Sequence, residues 1–148
     1  MDIKDVLREI RSSRFEAREL EGHRKRLEEM RLATGIRYDK DRITSSKADK
    51  LAELTAEIDE ISDTILTHSI EMLQQEKECI EAINKVKESK HRRILLMRYI
   101  DDEPKTWEKI AKIMNYSVDD VKHEHGDAIE ELRGILKQKK KRTHYNTK

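Results

Sequence analysis

Cysteine, proline, glycine and aromatic residues are all scarce in this chain of 148 residues. The single cysteine, Cys79, cannot close an internal disulfide, and no apolar segment follows Met1-Asp2-Ile3-Lys4, so secretion has no support and the cytosol is the expected location. One proline, four glycines and only six aromatic rings leave too little turn-forming and strand-forming material for a sandwich or barrel. No apolar run approaches the roughly 18 residues that a spanning helix requires, which excludes a membrane span.

Charge is what the chain has in abundance. Charged residues make up 43% of it, against roughly 25% in an ordinary globular domain. Leu, Ile, Val and Phe supply about 22%, just above the roughly 20% below which disorder is the better expectation. An all-α fold with thin packing follows. The formal net charge of +1 is unevenly laid out. Residues 137–148 hold Lys137, Lys139, Lys140, Lys141, Arg142 and Lys148 without an acid, leaving 26 bases against 31 acids before them. Such an end can neutralise phosphates without reading sequence, or can simply be a solvated tail.

Two long amphipathic helices are expected first. From Ile3 to about Ala33 a heptad seam reads Ile3, Val6, Ile10, Ser13, Ala17, Leu20, Arg24 and Leu27, with Leu7 broadening it. Thr34 and Gly35 should end that helix, residues 36–46 should form the loop, and Ser45 or Ser46 should cap the next helix. The second helix is expected from about Lys47 to Glu88. Its seam repeats Leu51, Ile58, Ile65, Met72, Cys79 and Val86 every seven residues, with Leu54, Ile61, His68 and Gln75 between them and Leu66, Leu73, Ile80 and Ile83 widening the face. The simplest arrangement is a long, coiled-coil-like antiparallel helical hairpin over residues 1–89. Its broad apolar face could bury the next element or support a homodimer.

A short helix from Arg92 to Ile100 then ends at Asp101-Asp102-Glu103-Pro104. Thr106 is a good N-cap for a helix carrying Trp107, Ile110, Ala111, Ile113 and Met114. After Asn115-Tyr116-Ser117 a further helix starts at Val118, with Val121, Ala128, Ile129, Leu132 and Leu136 facing a core. Asn115 suits the turn because Asn tolerates positive φ. Two short helices joined this tightly make a helix-turn-helix, expected over residues 90–136 and followed by a basic tail at 137–148.

Arg93-Ile-Leu-Leu-Met-Arg-Tyr99 followed by Thr106 through Leu132 resembles the fourth region of bacterial sigma factors, over about residues 92–136. Threonine, the Ile-Ala pair, the Ser cap, Val121, Ala128 and Leu132 fall in register without a gap. The wider layout, a long hairpin and a Tyr-Asp-Lys stretch before Ser-Ser, is similar to small sigma-like regulators encoded by phages and prophages of Gram-positive bacteria. That resemblance implies a helix-turn-helix that reads a promoter element and docks on RNA polymerase. Carried over by register, Val118, Asp119, Lys122 and His123 would meet bases and phosphates, with Thr106 near the backbone; in such a complex Lys105 beside it would help to position the helix on phosphates. Lys139, Lys140, Lys141 and Arg142 would add phosphate contacts from the tail. Double-stranded DNA, RNA polymerase and a second copy of the chain are the implied partners.

The chain departs from the family at particular positions. Val118 and Asp120 stand where relatives have arginines, and Glu124 occupies a position that is usually apolar. Residues 106–136 carry seven acids and four bases, a sign that opposes phosphate approach. A non-enzymatic interaction module that binds polymerase or a regulator without reading DNA therefore stands as the alternative.

Other candidate groups carry less. Trp107 lies among helically spaced apolar residues and reads as core. His91 with Arg92 and Arg93 reads as a solvated turn of helix, and Asp101, Asp102 and Glu103 as an acidic turn. His123 and His125 diverge on a helix, so no metal is expected. Without a phosphate-binding glycine loop, a nucleophile elbow or an HExxH motif, no cofactor and no enzymatic activity are expected.

Overall fold

The structure, a computed structural model, describes residues 2–40 and 45–146, and the side chains of residues 2–36 and 46–141. It is all-α, with no strand among the described residues. Helix α1 spans Ile3–Lys40, α2 Ser45–Asn84, α3 Ser89–Leu95, α4 Trp107–Met114 and α5 Val118–Asn146, with a π-helical turn at Leu96–Ile100. Among the described residues no helix is long and apolar enough to cross a membrane.

Both heptad seams face inward. On α1, Ile3, Leu7, Ile10, Ser13 and Leu27 are buried and Val6, Ala17, Leu20 and Arg24 half-buried. On α2, Leu54, Ile58 and Cys79 are buried, and Leu51, Ile61, Ile65, His68, Met72 and Gln75 half-buried, while Val86, buried too, lies just past the helix. The residues expected to widen that face divide: Ile83 is fully buried, whereas Leu66 and Leu73 stay exposed.

The helix ends differ from the sequence expectation for identifiable reasons. Helix α1 runs through Thr34 and Gly35 to Lys40, because no glycine among the described residues takes positive φ and the Thr34 hydroxyl donates to the Met30 carbonyl at 2.8 Å. Glycine permits the left-handed turn but does not compel it. Of the expected loop at 36–46, residues 41–44 and the Ser45 side chain lie outside the described residues. Helix α2 stops at Asn84, tightened by bonds from the Lys85 and Val86 amides to the Ala82 and Ile83 carbonyls. Arg92 covers the freed carbonyls of Val86 and Lys87, and α3 therefore begins at Ser89, before Arg92. At the other end α5 does not stop before the lysines, since residues 137–146 continue its backbone.

The chain divides into two compact units, residues 1–15 with 72–148, and residues 16–71. In the second unit Leu27 packs with Leu54, Ile58 and Ile61, and His68 lies 3.7 Å from Glu16. In the first, Ile3, Leu7 and Ile10 pack with Ile83, Val86, Leu95 and, from α5, Ala128, Ile129 and Leu132. The expected boundary at residues 89 and 90 falls inside this unit, because its core draws on both sides of that position. A second cluster joins Ile94 and Met97 to Ile110, Ala111 and Val121.

Leu132 is fully buried, so Leu132→Ala should cost roughly 2–5 kcal/mol in urea unfolding. Gly134 lies inside α5 with nothing within 4 Å of an added Cβ. Gly134→Ala should accordingly stabilise by roughly 0.5–1 kcal/mol in the same measurement.

Candidate nucleic-acid interface

The segment from Tyr99 to Val121 is held by local hydrogen bonds. The π-helical turn closes when the Asp101 amide donates to the Leu96 carbonyl at 2.9 Å, and the Lys105 amide returns to the Met97 carbonyl at 2.9 Å. The Thr106 hydroxyl caps α4, accepting from the Lys109 amide at 3.2 Å. Asn115 ends α4 in the left-handed region, at φ 59°, and the Tyr116 amide donates to the Ala111 carbonyl at 2.9 Å. Ser117 then caps α5, its hydroxyl accepting from the Asp120 amide at 3.1 Å. Such caps typically contribute about 1 kcal/mol each.

Helix α5 is buried along one stripe: Val121, His125, Ala128 and Leu132. Trp107 and Val118 are half-buried at the edge of the smaller cluster. Asp119, Lys122 and His123 are exposed, the His123 side chain to 78%.

The residues expected to touch nucleic acid thus fall into three groups. Asp119, Lys122 and His123 share the outward face of α5, and His123 lies 3.6 Å from Asp127. Lys105, Thr106 and Val118 are committed locally: the Lys105 ammonium meets Asp101 at 2.7 Å, the Thr106 hydroxyl caps α4, and Val118 packs inward. Lys139, Lys140 and Lys141 are exposed further along α5, with Lys139 at 3.9 Å from Glu81. The Arg142 side chain lies outside the described residues.

Comparison with family models, with curated proteins and with solved structures finds no match.

Two histidines have roles that the sequence alone conceals. His91 is buried, not a solvated turn, because it sits between two carboxylates on α5: Nε2 lies 2.7 Å from Glu124 and Nδ1 3.1 Å from Glu131. Glu124 also accepts from Lys90 at 3.3 Å, and Glu131 from the Lys87 amide at 2.8 Å. Burial opposes charge on His91, but the hydrogen bonds that its ring donates to Glu131 and Glu124 outweigh it and raise its pKa. The contact with His91 holds Glu124 below the usual carboxylate range, and the Lys87 amide, followed by His91, does so for Glu131. Glu124 is an internal ion-pair partner. His91, Glu124 and Asp127 also bring ligand atoms within 4.8 Å of one another. A cation there would have to take a His91 nitrogen from a glutamate, so the group reads as an ion-pair cluster.

His125 behaves oppositely. It shares a 2.7 Å hydrogen bond with the Tyr99 hydroxyl and stands edge-on to Trp107 at 4.7 Å. Burial first, and then the charges of Lys4, Arg98 and Arg8, push its pKa down to about 4. Burial first also raises Tyr99, so both partners stay neutral near pH 7.

These shifts set opposing pH dependences. His91 contributes stability below its ordinary value of 6.5, lost as pH rises through the raised value. Glu124 and Glu131 contribute above their ordinary 4.5, lost as pH falls through their lowered values. The cost of His91→Gln in urea unfolding should therefore peak between pH 4.5 and 6.5, at about 1–3 kcal/mol, and decline above it. Protonating His125 disfavours the folded state by ~3 kcal/mol as pH falls from 6.5 to about 4, and His125→Gln should remove that loss.

Proposed function

We propose that this chain is a DNA-binding transcriptional regulator of the sigma-like kind carried by phages and prophages, acting without catalysis. The observation that carries the reading is the capped pair α4 and α5, joined through Asn115-Tyr116-Ser117 and leaving Asp119, Lys122 and His123 outward. This pair is the helix-turn-helix of the proposal. Its second helix enters the major groove, Lys122 and His123 donate to base edges or phosphates, and Asp119 accepts from a cytosine amino group. Lys139, Lys140 and Lys141, about two turns or more beyond the buried stripe, lie against the DNA backbone. Lys105, Thr106 and Val118 set the geometry of the turn.

Helices α1 and α2 form an antiparallel hairpin in this reading. Leu66 and Ile70, each at least 60% exposed and spaced four apart on α2, supply the seam for a second copy. A dimer would present two α5 helices to repeated half-sites. RNA polymerase is the proposed protein partner, in the cytoplasm.

A second reading has its own support. Ile113 and Tyr116 are 47% and 40% exposed beside the turn, and residues 106–136 carry a surplus of acids. Both features suit a surface that binds a protein and not DNA.

Duplex selection from a random pool, followed by affinity measurements across a salt series, separates the two. The DNA reading predicts an enriched sequence. It also predicts that Lys122→Ala weakens binding about tenfold and lowers the salt slope by about 1. Binding without sequence preference that vanishes on removal of residues 137–148 favours the protein-binding module.

A further inference from the structure

Positive charge gathers at one cleft in the unit made of residues 1–15 and 72–148. Lys4, Arg8, Arg11 and Phe15 recur at spacings of four, three and four on α1, which places them on one helix face. Opposite stand Arg98 from the π-helical turn, Trp107 from α4 and Lys122 from α5, enclosing about 580 Å³. Among the described residues, five cations and no carboxylate line this space, in a chain with 31 acids. Asp5, 3.9 Å from Arg8, and Glu108, which acts on Arg98, stand outside the lining.

The arginines are held in position by aromatic rings. The Arg98 guanidinium lies 4.1 Å from the centre of the Trp107 ring, and its Nη1 donates to the Lys105 carbonyl at 3.0 Å. Arg11 lies 4.8 Å from the centre of the Phe15 ring. Their Nε atoms are buried without a hydrogen-bond partner, two of three such side-chain atoms among the described residues. A guanidinium stacked on a ring keeps a fixed fork of donors, the geometry that matches a phosphate. Like charges brought together repel, and an anion between them reverses that cost. The low pKa of His125, drawn down partly by Lys4, Arg98 and Arg8, registers the same positive field.

We propose that this cleft is a phosphate-binding site, formed where the first turns of α1 meet Arg98 and Lys122. Its volume suits a nucleotide-sized anion, and Lys122 joins it to the outward face of α5. The phosphate belongs either to a nucleic-acid backbone passing α5, which rests on the DNA reading above, or to a free phosphorylated molecule, which does not.

Trp107 is the one tryptophan of the chain and lines the cleft, so its fluorescence reports on this site. The full-length protein is titrated with inorganic pyrophosphate and, separately, with the selected duplex, against sodium chloride at matched ionic strength. A Lys4→Gln/Arg8→Gln variant is run in parallel; both positions lie outside α4 and α5, and unchanged circular dichroism verifies its fold. The expected result is a saturable change in Trp107 emission that the variant shows only at tenfold or higher ligand concentration. A response to the duplex, displaced by pyrophosphate, identifies the backbone as the source. A response to pyrophosphate alone identifies a free phosphorylated ligand and supports the cleft even where DNA binding fails. No saturable response to either ligand, or one equal in the variant, overturns the proposal. It does so independently of whether Lys122→Ala alters duplex affinity.

Discussion

Burial of one stripe along α5 governs the rest of the molecule. Val121, His125, Ala128 and Leu132 recur at spacings of four, three and four and are all buried, so the rotation of α5 about its axis is set. At about 100° per residue, burying that stripe turns Asp119, Lys122, His123 and Gly126 to the far side. The partners that enforce this come from distant parts of the sequence: Ile94 and Ile110 share a cluster with Val121, Tyr99 and Trp107 meet His125, and Ile3, Leu7 and Ile83 share a cluster with Ala128 and Leu132. The His91 bridge to Glu124 and Glu131 holds the flank of the same helix.

Where information was local and periodic, the sequence disclosed it. Both heptad seams, the Thr106 and Ser117 caps and the left-handed Asn115 depend on residues within one or two turns of each other, and all are visible in the pattern. Helix ends and long-range pairings are not. Gly35 is compatible with a helix stop and with helix continuation, and no local signal separates the two. His91 looked solvated because its carboxylate partners lie 33 and 40 residues away. Nothing in residues 4–11 announces that Arg98 and Lys122 stand across from Lys4, Arg8 and Arg11.

The cations of α1 alter the charge that α5 presents to a phosphate. The acid surplus of residues 106–136 counts Glu124 and Glu131, which are engaged with His91. It omits Lys4, Arg8, Arg11 and Arg98, which stand beside Lys122. The potential that a phosphate would meet at the edge of α5 is therefore more positive than the segment's own sum. This favours the DNA reading over the interaction module, without any arginine at positions 118 or 120.

The central claim is that the outward face of α5 meets nucleic acid. Mapping backbone amide shifts by NMR during titration of the full-length protein with its selected duplex tests it directly. The account predicts the largest shifts at Asp119, Lys122 and His123, with smaller ones at Lys139 to Lys141. Shifts confined to the lysine-rich end, with residues 118–123 unmoved, would contradict it.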